Sequence, residues 1–129
     1  LNSVNTVSLH RVVVHVASFN CNFLEIEQFN IAHWDLVKNS VADFIGSVDK
    51  VYVSIDLDGF SSAYAPGVSA PSPIGFTPEI VWKALEEIIQ SNKLLSVDIV
   101  ELNPAYDKDN ATARLAARCV EYIVRTISR

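Results

Sequence analysis

Asp56 and Asp58 stand two residues apart at the end of an apolar run, Val51-Tyr52-Val53-Ser54-Ile55, and a loop rich in Gly, Pro, Ser and Ala follows them. Side chains i and i+2 of an extended strand share a face, so this spacing predicts two carboxylates aimed at one place. Neighbouring anions repel unless a cation lies between them. Carboxylate oxygens are hard donors suited to Mg, Ca or Mn, and without nearby Cys the pair argues against a closed structural zinc site. Asp at a strand end also serves as an ordinary turn former or helix cap, so context must decide. A second acidic strand end, Asp98-Ile99-Val100-Glu101-Leu102-Asn103-Pro104, supplies that context.

Hydrophobic period places these residues on elements. Residues 1–9 show no clear period and read as a lead-in. Arg11 to Ala17 is a β-branched run, the pattern of a strand covered on both faces. Residues 31–45 predict a helix ending near Gly46, with Leu36, Val37, Val41, Phe44 and Ile45 inward. Lys50 to Ile55 forms a second strand and Leu94 to Leu102 a third. Between them, Thr77-Pro78-Glu79 opens a helix that runs to about Asn92: Thr77 as N-cap, Pro78 at the first position, Glu79 near the positive end. Its apolar face is Ile80, Val81, Ala84, Leu85, Ile88 and Ile89. A last helix from Asn110 to Ser128 is expected to bury Leu115, Ala116, Cys119, Val120, Ile123 and Ile127. The alternation indicates an α/β fold with a parallel sheet, right-handed crossovers and flanking helices. Ligands bind beyond the carboxyl ends of such strands, which gathers Asp56, Asp58 and Glu101 at one edge. The Gly59–Phe76 loop, with three prolines and three glycines, is too long for an ordinary connection and marks a functional segment.

The 129 residues, half of them apolar and 19% charged, predict one folded unit. A net charge of -5 with scattered Lys and Arg offers no stripe for nucleic acid and no polybasic membrane patch. No apolar run reaches the roughly 18 residues of a spanning helix, and the N-terminus lacks signal-peptide regions. Cys21 and Cys119 read as reduced core thiols of a cytoplasmic protein. His15, inside the predicted first strand, reads as a core residue and His33 as a helix-surface one; Trp34 and Trp82 read as packing or interface groups. No G-x-S-x-G elbow or Gly-rich nucleotide cradle occurs.

The segments S54-I-D-L-D-G-F-S-S-A-Y-A-P-G-V-S-A-P71 and D98-I-V-E-L-N-P104 resemble the ureohydrolase family of arginases, agmatinases and formimidoylglutamases, over about residues 50–125. Ser61-Ser62 and Val68-Ser69-Ala70-Pro71 are more similar to its formimidoylglutamase branch. The resemblance implies an arginase-like three-layer α/β/α fold and hydrolysis of a linear amidine C–N bond, taking N-formimidoyl-L-glutamate to L-glutamate and formamide. It implies two Mn2+ per subunit, with Asp56 and Asp58 among the ligands and Asp58 in the catalytic centre. Glu101 would pair with the amidinium through a charge-assisted, two-point hydrogen bond. A homo-oligomer acting on a small amidine, with neither nucleic acid nor membrane as partner, is the matching expectation. A guanidine hydrolase of agmatinase or arginase type, and a catalytically silent relative, stay open as alternatives. The family's Asp-x-His-x-Asp motif and further ligand His do not occur here; His10, His15 and His33 are the only histidines. With Leu1 at the start and no Met, this predicts that residues 1–129 are the C-terminal portion of a longer domain, inactive alone.

Overall fold

The computed structural model describes residues 5–9, 12–15 and 21–128, with side chains from residue 24 onward. Five strands, β1 (Asn5–Leu9), β2 (Val12–His15), β3 (Cys21–Leu24), β4 (Val51–Asp56) and β5 (Leu94–Val100), form one sheet in the order β3-β2-β1-β4-β5. β4 and β5 run parallel, as expected, and β1 joins them in parallel, but β2 pairs antiparallel with both β1 and β3. The sheet is therefore mixed where an all-parallel one was predicted. The physical reason is connection length: residues 10 and 11 alone separate β1 from β2, enough for a hairpin and far too few for a parallel crossover.

The predicted lead-in also proves wrong, because residues 5–9 form β1, a middle strand that pairs with β4 through Val7 and Val53. The alternation Thr6-Val7-Ser8-Leu9 is a strand signal, short enough to be lost among polar neighbours. The strand predicted at 11–17 corresponds to β2, which contains His15; His10, Arg11, Val16 and Ala17 lie outside the described residues. β3 had no counterpart in the prediction.

Three helices follow: α1 (Trp34–Gly46), α2 (Pro78–Gln90) and α3 (Ala111–Ile127). A short 3-10 turn, Ile31–His33, leads into α1, the Ala32 amide donating to the Asn30 side chain that caps it. Along β4, Val51, Val53 and Ile55 are buried while Tyr52, Ser54 and Asp56 are half-buried. The buried set joins one apolar cluster with Val37, Val41 and Phe44 of α1, all six predicted residues of α2, and Cys119 and Ile123 of α3. Pro78 takes the first position of α2 as expected, yet Thr77 caps through backbone geometry, its side chain making no cap hydrogen bond. Leu36, expected inward, is exposed.

α3 departs further from expectation. Val120 and Ile127 are 51% and 58% exposed. With Leu95, Val97 and Val124 they line an open groove of about 540 Å³ between β5 and α3. β5 is the last strand of the described sheet, so the outer half of α3's apolar stripe has no neighbouring strand to cover. Cys119 is buried, and burial pushes its thiol pKa up to about 11, which makes it an inert core group. Trp34 lies beneath Lys83, and Trp82 packs on Tyr122 of α3 with ring centroids 5.9 Å apart. No helix among the described residues is long and apolar enough to cross a membrane.

Candidate metal and amidine site

β4 ends at Asp56. The chain then winds into a 3-10 turn, Leu57–Gly59, so Asp58 does not continue the strand and the expected sharing of a strand face is corrected. Local chemistry explains the break: Asp56 Oδ1 accepts the Asp58 amide at 3.1 Å, the two-residue reach by which Asp side chains compete with strand pairing. The turn carries Asp58 inward between buried Leu57, Gly59 and Phe60, leaving it only 6% exposed, while Asp56 stays half-buried at the rim. A carboxylate taken out of water requires donors or a cation around it.

The neighbouring strand delivers the third acid. Asp56 and Val100 are partners in the parallel β4–β5 ladder, so Glu101 is the first residue past the same sheet edge. It is exposed, and its backbone is left-handed at φ 70. Among the described residues no hydrogen bond or ion pair engages its carboxylate. Such a φ is uncommon for Glu and persists only where the surroundings hold it. Asp98, two positions back from Val100, is instead tied into the sheet: it lies opposite Ser54 and accepts the Tyr52 hydroxyl. That hydrogen bond, with burial and the carboxylate charge, raises the Tyr52 pKa.

The long loop after Asp58 is a folded piece in its own right. Its ends meet where Ser61 N–H donates to Phe76 O and Phe76 N–H to Gly59 O, both at 3.0 Å. The rings of Phe29, Phe60 and Phe76 stack edge-on beneath, with centroids 4.7 and 5.3 Å apart. Gly67 is where this loop meets the next strand end. Its carbonyl accepts from Asn103 N–H at 2.8 Å, and its amide donates to the buried Thr112 Oγ1 at 2.7 Å. A Cβ on Gly67 would stand 2.4 Å from Asp107 Cβ, which is why the Ala65-Pro66-Gly67 turn needs glycine.

Asp107 was not singled out from sequence. It accepts the Thr112 and Ala113 amides at 2.9 and 3.0 Å, capping α3 from four residues ahead of the helix. Partial burial alone would push its pKa up, but the amides of Ala113 and Thr112 outweigh it and hold the carboxyl below the ordinary value. The discoverable signal was an Asp spaced to reach the first helical amides, masked by the nearer cap candidates Asp109 and Asn110.

Asp56 and Asp58 give two hard oxygen donors from one turn, a set that suits manganese or magnesium. Among the described residues no group of three or more His, Cys, Asp or Glu converges for a metal. The donor chemistry of the pair thus fits part, and only part, of a metal's coordination shell. His33 is on the surface as expected, its ring against Asn30 and the Glu27 carbonyl.

Comparison with known proteins gives a consistent result. A sequence profile of the Arginase family matches residues 6–125. The chain is 42% identical over 102 residues to the formimidoylglutamase of Clostridium tetani, covering 78% of this chain and 30% of that protein. To the formimidoylglutamase of Aromatoleum aromaticum it is 42% identical over 103 residues, covering 80% and 30%. Among solved structures, an arginase from Bacillus subtilis matches with TM-score 0.69 and 28% identity over 77% of this chain and 37% of that one. The formimidoylglutamase from Bacillus subtilis matches with TM-score 0.66 and 25% identity, covering 71% and 29%. The chain spans about 30% of the length of the curated relatives it matches.

Proposed function

Since this chain belongs to the arginase family, we propose that the longer protein of which it is a portion hydrolyses the amidine C–N bond of N-formimidoyl-L-glutamate, yielding L-glutamate and formamide. The observation that carries the reading is the placement of the buried Asp58 turn and the exposed Glu101 at adjacent ends of parallel β4 and β5. The formimidoylglutamase relatives at 42% identity favour this substrate over a guanidine.

Asp56 and Asp58 would hold Mn2+, with the remaining ligands supplied by the part of the protein outside these residues. When bound, divalent ions would supply Lewis acidity that eases deprotonation of the attacking water and stabilises the charge that develops as it adds. Glu101 binds the amidinium, its two carboxylate oxygens accepting the two N–H groups in a forked, charge-assisted pair. That pairing would fix the plane of the formimidoyl group at the β4–β5 edge.

The test is product analysis of the full-length protein with N-formimidoyl-L-glutamate, agmatine and L-arginine in parallel. Formamide and glutamate from the first, with little urea from the others, is the expected result. Urea from a guanidine without formamide release overturns the assignment. Chelation should abolish turnover and added Mn2+ restore it; full activity in metal-free protein counts equally against the reading.

A further inference from the structure

A left-handed Glu101 raises the question of what keeps it there. Upstream it is anchored by the β4–β5 ladder, which pairs Val100 with Asp56. Downstream only Leu102 intervenes before Asn103, and Asn103 is the most heavily tied residue of this strand end. Its amide donates to Gly67 O at 2.8 Å and its Nδ2 to Ser69 Oγ at 3.2 Å. Its Oδ1 accepts Ala105 N–H at 3.2 Å, and its carbonyl accepts Tyr106 N–H at 3.1 Å. Gly67, the partner, is itself immobilised by buried Thr112 and by contact with Asp107, the residue that caps α3. Glu101 is thus held between two fixed points, with its carboxylate left to a ligand.

We infer that Asn103 is a positioning residue for Glu101, transmitting the rigidity of the Gly67 turn and of the α3 start to the carboxylate that receives the amidinium. The inference rests on the reading of Glu101 given above. Positive φ is disfavoured for Glu, so loosening Asn103 lets residues 101 and 102 relax toward extended backbone and swings the carboxylate away from the β4 turn. Ser69 contributes the side-chain half of the tie. Its place in the Val68-Ser69-Ala70-Pro71 segment gives that segment a role in aiming Glu101, separate from any contact with substrate.

The experiment is a double-mutant cycle on full-length protein, with kcat/KM for N-formimidoyl-L-glutamate as the readout. Asn103→Ala alone should lower it about 100-fold, the scale for ångström-sized misplacement of a binding group. In an Glu101→Ala background the same change should cost nothing more, because residues acting as one unit are not additive. Asn103→Asp should recover most of the activity, since it still accepts from Ala105 and the Ser69 hydroxyl can turn to donate. If the losses of Asn103→Ala and Glu101→Ala multiply, Asn103 acts elsewhere and the inference fails. If Glu101→Ala is damaging while Asn103→Ala is silent, the positioning role fails and the amidinium reading survives. Wild-type activity in Glu101→Ala overturns both. Should Asn103→Ala not fold, Ser69→Ala decides: a loss that vanishes in the Glu101→Ala background supports the inference, and unchanged kinetics overturn it.

Discussion

At the end of β4 the chain tucks Asp58 inside a 3-10 turn among apolar side chains, whereas at the end of β5 it leaves Glu101 exposed on a left-handed backbone. The two acids lie past the same sheet edge on neighbouring strands and are controlled differently. Asp58 is placed by burial and by the Asp56 carboxylate that accepts its amide within the turn. Glu101 lies two residues before Asn103, whose ties reach across the molecule to Gly67 and Ser69 and, through Gly67, to Thr112. A buried carboxylate suits a permanent guest such as a metal ion, and an exposed one suits a substrate that must come and go.

Several substitutions separate the two designs. The largest effect belongs to the β4 turn: Asp58→Ala in the full-length protein should cost at least about 100-fold in metal affinity and turnover, the scale for residues that merely support a metal ligand. Metal analysis with steady-state kinetics checks it, and full metal retention would remove Asp58 from the shell. Next comes Gly67→Ala, which drives a methyl into Asp107 and should destabilise the protein by about 1 to 3 kcal/mol by overpacking. A denaturation midpoint equal to wild type would show that the turn yields freely.

Glu101→Gly should act in the opposite sense on stability. Glycine adopts positive φ without strain, so relief of about 1 kcal/mol is expected in denaturant unfolding even as substrate binding is lost. Destabilisation instead would mean that Glu101 is held by contacts rather than held against its preference. The smallest effect is the acid response of the α3 cap. The Asp107 pKa is lowered in the folded state from an ordinary 3.8, so its contribution is complete above that value and is lost as pH falls through the folded one. Asp107→Asn should therefore flatten the stability profile below about pH 4. An unaltered acid limb in that variant would assign the dependence to other carboxylates.

Much of this was legible beforehand. The α2 face follows from the sequence residue by residue, because six apolar positions at helical spacing can be hidden only by one packing direction. The adjacency of the two acidic strand ends followed from parallel neighbours joined by a helix. The sequence misled where short range and long range compete. Asp-x-Asp after a strand reads as continued alternation until the first Asp turns back on the backbone of the second. Thr6 to Leu9 is too brief to announce β1, and α3 carries a stripe wider than the described sheet covers.

Taken alone, the sequence determined which residues can do chemistry and at which edge they meet, since residue type and period are local properties that survive any packing. Tertiary structure decided that Asp58 is buried while Glu101 is exposed, that Gly67 must lack a side chain, and that Asp107 anchors α3. Those outcomes depend on groups distant in sequence brought within hydrogen-bond reach, and the distance between them is set by how the chain packs.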